Sequence, residues 1–222
     1  MYRIVMKGIF LFYLLLLLPG CLGNNEEVAA SKSYIEQKYN KEFNTDYVFD
    51  TNFLVRASPV DNPQIIFNIR QGEEEGTFKD DYLQRYWEWQ VDTLIRDEIA
   101  SLFPLSDEGT NFTVHFSKDS YPGSTFEELP SYKELDVEYE IDLRLIETYR
   151  SEEQLTPVYE VIQILLKHEL QPTNFSVSWV KEERTESVVS SYVTERLEIP
   201  WEQAGHIKTA EDLVLFMGVS HK

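Results

Sequence analysis

The chain has 222 residues, with 20 basic side chains against 39 acidic ones and a formal charge of −19. Hydrophobic residues make up 42% and aromatics 14%, too many for a disordered acidic tail. The acid excess excludes nucleic acid as partner, because phosphate binding needs clustered lysine and arginine, and the lone Cys21 excludes an internal disulfide framework or a zinc site of several thiolates.

The N-terminus carries no acid before Glu26. Arg3 and Lys7 form a short basic region, and Gly8 to Leu18 is almost wholly apolar. A membrane span needs about 20 apolar residues to cross roughly 30 Å, so this shorter run has the layout of a secretory signal instead. Leu18-Pro19-Gly20-Cys21 follows. It resembles the lipobox of bacterial lipoproteins, with a leucine three residues before the cysteine and a small residue just before it. Pro19 is a less usual residue in the middle of the box. The resemblance implies that 1–20 is a lipoprotein signal peptide and that Cys21 is lipidated with palmitate-like chains. It also implies a body on the extracytoplasmic face of a bacterial cell membrane. Two or more acyl chains anchor stably where one binds marginally. Residues 21–32, small and polar, read as the lipidated N-terminus and a tether.

The folded body starts with a capping-box pattern, Ser33 to Glu36. Ile35, Tyr39 and Phe43 recur every four residues and predict a helix that stops near Asn44. Tyr47 to Arg56 and Gln64 to Arg70 read as strands, separated by turn residues at Ser58-Pro59 and Asp61-Asn62-Pro63. Gln71 to Gly76 is a polar loop. A long helix is expected from Lys79 to Phe103, with Leu83, Trp87, Val91, Leu94, Ile95, Ile99 and Leu102 as its stripe. Asp80 and Asp81 suit its positive end.

Asn111 to Ser117 alternates as a half-buried strand. Lys118 to Pro130 is the best internal boundary, and Glu134 to Glu147 alternates again. A helix follows to Leu170, beginning either at Glu152 or at Pro157. Phe175, Val177 and Trp179 mark the next strand, Glu182 to Glu186 a charged turn, and Ser187 to Ile199 the returning strand. Thr209 opens a short last helix over Ala210 to Met217, closed by Gly218.

Asn111-Phe112-Thr113-Val114 resembles Asn174-Phe175-Ser176-Val177, and each follows a strand and a long helix. The body therefore reads either as two similar strand–helix–strand halves or as chance likeness of half-buried strands. The fold class is α+β, a mainly antiparallel sheet packed by helices. The halves are 33–117 and 134–222, joined by a connector over 118–133.

Chemistry is sparse. The sequence has no G-x-S-x-G, phosphate-cradling glycine loop or H-E-x-x-H. His115, His168, His206 and His221 have no metal-ligand spacing, so neither a metal nor a cofactor is expected. No catalytic residue can be named. Tyr82, Tyr86 and Trp89 lie largely off the helix stripe and are the candidate partner-binding aromatics, or else a second packing face. The expected function is a lipid-anchored binding or interaction module, with a basic-faced envelope protein as partner. An envelope hydrolase using paired carboxylates is the alternative. A third reading is an inhibitor or regulator of a secreted enzyme. The order helix–strand–strand over Ser33 to Arg70 resembles PepSY-type modules, which are linked to protease inhibition. The stretch lacks their glycine-containing strand turn and terminal D-x-x-[ST]-G.

Overall fold

A computed structural model of the chain describes residues 22–48, 54–74, 76–103, 111–117, 125–134, 137–146, 151–184 and 189–218. The fold is α+β, with helices and two mostly antiparallel sheets. The described residues form two compact units. One holds those up to Arg85 together with those of 121–130, and the other those of 86–120 and 131–222. The division falls inside a helix, between Arg85 and Tyr86, and again within the expected 118–133 connector, after Pro130; residues 118–124 of that connector lie outside the described residues.

The first unit is a helix followed by a four-stranded antiparallel meander. Helix α1 spans Leu22–Tyr39. The expected tether is therefore helical from Leu22 onward. Its Glu, Ala and Lys residues are strong helix formers, and Lys32 pairs with Glu36 at 3.6 Å. Only the apolar stripe was missing there, and it starts late, with Ile35 and Tyr39 buried. The helix ends before Asn44. Asn40 takes a left-handed conformation (φ 49), which Asn tolerates, and Phe43 already belongs to a strand.

Strands β1 (Phe43–Val48), β2 (Leu54–Pro59), β3 (Phe67–Gln71) and β4 (Phe78–Asp80) pair in chain order. The expected strand Tyr47 to Arg56 is thus parts of two antiparallel strands, with 49–53 outside the described residues. The strand expected over Gln64 to Arg70 begins only at Phe67. In the loop before it Ile65 is buried and Ile66 exposed. The polar loop turns as expected, with the Gly72 amide donating to the Thr77 carbonyl at 2.8 Å. Phe43, Val55, Ala57, Phe67 and Ile69 form the core face of this sheet.

Helix α2 spans Tyr82–Leu102, starting later than expected because Lys79 and Asp80 are taken by β4. In the second unit its Trp87, Val91, Ile95 and Ile99 are fully buried, whereas Leu94 of the expected stripe is 44% exposed. Strand β5 (Asn111–Phe116) follows, then a short 3-10 turn over Tyr132–Glu134, then β6 (Tyr139–Leu145). A 3-10 turn over Glu152–Gln154, opened by a Ser151 capping box, leads into α3 (Leu155–Lys167). Pro157 sits in the first turn of α3, where its missing N–H costs nothing. The helix ends before Leu170: the Glu169 and Leu170 amides donate back to the Leu166 and Leu165 carbonyls at 3.1 and 3.0 Å, and Glu169 is left-handed (φ 56).

Strands β7 (Asn174–Arg184) and β8 (Val189–Pro200) form a long hairpin, so Glu182 and Glu183 are strand and not turn, with 185–188 outside the described residues. A four-residue helix α4 (Trp201–Ala204) follows, then a 3-10 helix over Ala210–Phe216 where an α-helix was expected. Its N-terminus is the expected cap: the Thr209 amide donates to Asp212 Oδ2 at 3.0 Å. Gly218 does not close that helix but lies in β9 (Met217–Gly218), beside Arg196 of β8.

The second sheet has the order β5-β6-β7-β8-β9. Only β6 and β7 are parallel, joined across α3 as a strand–helix–strand crossover requires. The first half does not match it. β3 and β5 lie in different sheets and β4 intervenes, so the likeness of Asn111–Val114 to Asn174–Val177 reflects the same half-buried setting rather than the same unit. The inner face is Phe112, Val114, Phe116, Ile141, Leu143, Phe175, Val177, Leu197 and Ile199. Trp87 of α2 rests against Phe116 (centroids 5.5 Å apart), and α3 buries Leu155, Val158, Val161, Ile162 and Leu165.

Candidate binding face

Cys21 and the Leu18–Gly20 residues lie outside the described residues. The candidate aromatics do not form one surface. Tyr82 is fully buried in the first unit, with ring centroids 4.8, 5.1 and 4.9 Å from Tyr39, Phe43 and Phe67. It is core because the first turn of α2 faces the meander. Tyr86 and Trp89, in the second unit, are half-buried and stack on each other at 6.3 Å. The histidines also stay apart. His115 is exposed with Nε2 3.7 Å from Asp142, and His168 Nε2 lies 2.6 Å from Glu98 Oε1. His206 is exposed and His221 lies outside the described residues. Among the described residues no three His, Cys, Asp or Glu side chains converge as metal ligands.

The first unit holds a buried polar cluster that sequence reading missed. Asp80 is fully buried at its side chain. Its Oδ2 accepts from Lys38 Nζ at 2.8 Å and from the Tyr34 hydroxyl at 2.9 Å. Its Oδ1 accepts from the Tyr39 hydroxyl at 2.9 Å and the Tyr82 amide at 3.2 Å. Lys38 Nζ also donates to the Tyr34 oxygen at 3.2 Å and lies 5.2 Å from the centre of the Tyr39 ring. Burial, then the Asp80 charge, pushes both phenols well above their ordinary range. They stay protonated and donate. Each carboxylate oxygen therefore has two donors. The cluster fastens α1 to β4 and to the first turn of α2.

The second unit offers an open surface. Register across its sheet sets side chains of the outer face in rows. Asn111, Arg144, Ser178, Arg196 and Gly218 are successive cross-strand neighbours on β5 to β9. Thr113, Asp142, Ser176 and Glu198 form the next row. Ser176 donates to Asp142 and is buried beside it. Arg196 Nε donates to Glu198 Oε1 at 2.8 Å. Arg144 donates to the Ser191 hydroxyl at 3.2 Å, and among the described residues no carboxylate pairs with it.

A concavity of about 470 Å³ lies over the first row, with Arg144, Ser178, Val180, Val193 and Arg196 in its wall. A second, of about 670 Å³, shares Val193 and Arg196 and adds Leu215 and Phe216. The hairpin has a β-bulge here. Trp179 opposes Glu195 and Val180 opposes Val193, so Thr194 is the extra residue, and its hydroxyl donates to the Trp179 carbonyl at 3.1 Å. Such bulges re-aim side chains at strand surfaces. Another concavity, about 520 Å³, is lined by Tyr132, Tyr139 and Trp201 with Glu169. Burial raises the Tyr139 hydroxyl, against a lowering hydrogen bond from the Gln171 amide at 2.8 Å.

No protein-family model matches the chain, and no curated protein matches it. Among solved structures, it is similar to a DUF5037 family protein from Ruminococcus gnavus ATCC 29149, at 11% identity over 88% of this chain and 82% of that one. The TM-score of that likeness is 0.34, too low to carry fold or function across.

Proposed function

We propose that the chain is a lipid-anchored binding protein on the extracytoplasmic face of a bacterial membrane. The observation that carries this reading is the basic and apolar leader ending in Leu18-Pro19-Gly20-Cys21. Among the described residues no helix is long and apolar enough to cross a membrane. Attachment is assigned to acyl chains on Cys21. Helix α1 begins at the next residue and has 18 residues, which at 1.5 Å per residue extend about 27 Å. A helix at this point favours a stiffer stand-off than a loose tether. The acidic body, at −19 for the whole chain, is repelled by anionic headgroups and attracts a basic-faced envelope protein. Proximity labelling from the anchored protein tests the reading, with Cys21→Ala as control. Enrichment of an envelope protein over the control is expected. Equal labelling in both would overturn it.

A further inference from the structure

We propose that the row Arg144–Ser178–Arg196 on the outer face of the second sheet binds a small organic carboxylate with an apolar body. The proposal rests on the binding reading above but not on lipidation. Arg144 and Arg196 stand on β6 and β8, two strand spacings apart, or roughly 9–10 Å between backbones. Arginine side chains of that separation can close on one oxyanion, and Ser178 lies between them. The arginines are exposed and Ser178 is half-buried, so the hydroxyl forms the floor.

Charge selects a monoanion. Arg196 already holds Glu198, and Asp142 in the wall is engaged by Ser176 and lies beside His115, so Arg144, which among the described residues has a hydroxyl but no carboxylate partner, is the one cation left for a single negative charge. A carboxylate meets this with the planar geometry that guanidinium prefers. A dianionic phosphate would face Asp142 and Glu198 unpaired.

The apolar requirement comes from the neighbouring surface. Val193 is 44% exposed and Leu215 is 86% exposed, an unusual outlay of apolar side chain beside an arginine. Both concavities meet at Val193 and Arg196. A ligand with its carboxylate on the arginine row can therefore lay its body along Val193 toward Leu215 and Phe216. Mixed pockets of this size, with few polar groups fixing orientation, suit small organic ligands.

Calorimetric titration of the full chain in neutral detergent micelles tests this, with 4-phenylbutyrate as probe and 4-phenylbutan-1-ol as its neutral counterpart. Protein-free micelles give the partitioning blank. Saturable binding of the carboxylate is expected, at least tenfold tighter than the alcohol. Arg144→Gln and Arg196→Gln should each weaken it about tenfold. Leu215→Ser should weaken it severalfold, and acetate should bind at least tenfold more weakly than 4-phenylbutyrate. These side chains are exposed, and circular dichroism checks that the variants stay folded. Absence of saturable binding, equal binding of acid and alcohol, or wild-type affinity in both arginine variants would overturn the site. Partner enrichment in the labelling experiment alongside any of these results would overturn this site and leave the binding reading standing.

Discussion

The two units tie a helix to a sheet by opposite means. In the first, α1 is fastened by charge: Lys38, Tyr34 and Tyr39 all converge on the buried carboxylate of Asp80. In the second, α3 is fastened by oil: Leu155, Val158, Val161, Ile162 and Leu165 are fully buried. The contrast follows from their architecture. A meander with a three-residue last strand has little apolar area for its helix, so geometry must come from a specific polar junction. A five-stranded sheet has a full inner face, and dispersion with water exclusion suffices. Polar residues are then released to the outer face, where they line up as rows.

The sharpest way to break the contrast is Asp80→Ala. It leaves Lys38 buried without its counter-charge and should cost about 3–5 kcal/mol in chemical unfolding. Hydrogen exchange should place the loss in β1 to β4. Adding Lys38→Met to the same chain should restore much of it, because the uncompensated charge is gone. Leu165→Ala probes the apolar counterpart. It should cost about 2–5 kcal/mol, with no partner substitution that rescues it by charge.

Alkali offers a third route. Tyr39 holds its proton in the folded state above the ordinary phenol value of 10.0, so its contribution is complete below pH 10 and falls as pH rises. For this phenol the loss should steepen through pH 10 and approach about 1.4 kcal/mol per pH unit roughly one unit above it. Tyr39→Phe should flatten the slope of a pH-resolved unfolding series. A smaller gain is expected from Glu169→Gly, since Glu169 is left-handed at the end of α3. The glycine should stabilise by about 0.5–1 kcal/mol, read as a rise in melting temperature.

The smallest effect belongs to the surface. Hydrogen bonds from Lys167 and His168 hold the Glu98 carboxyl below its usual range. Its contribution is present above the unfolded value and lost as pH falls through the folded one. Glu98→Gln should lower neutral stability slightly, shallow the acid limb of the unfolding series by the same small amount, and leave stability at low pH unchanged.

The parts of this architecture that local pattern determines were legible. Phe112, Val114 and Phe116 alternate, and the strand they announce is β5. Thr209 and Asp212 are a short-range cap and form one. The start of α1 was hidden because residues 22–32 carry helix propensity without an apolar stripe. The Asp80 cluster was hidden for a different reason: Lys38 and Asp80 lie 42 residues apart, and nothing local links them. Tyr82 lies off the apolar stripe because that stripe marks the packing face of the second unit, whereas the first turn of the helix packs in the first. The arginine row needs three strands in register, and register is a tertiary property.

The most direct test of the account is metabolic labelling of the full chain with an alkyne-bearing palmitate, wild type against Cys21→Ala. The account predicts label on the wild type, lost in the variant, with the wild-type label retained on the fragment beginning at Cys21. No label on the wild type, or equal label on both, would contradict it.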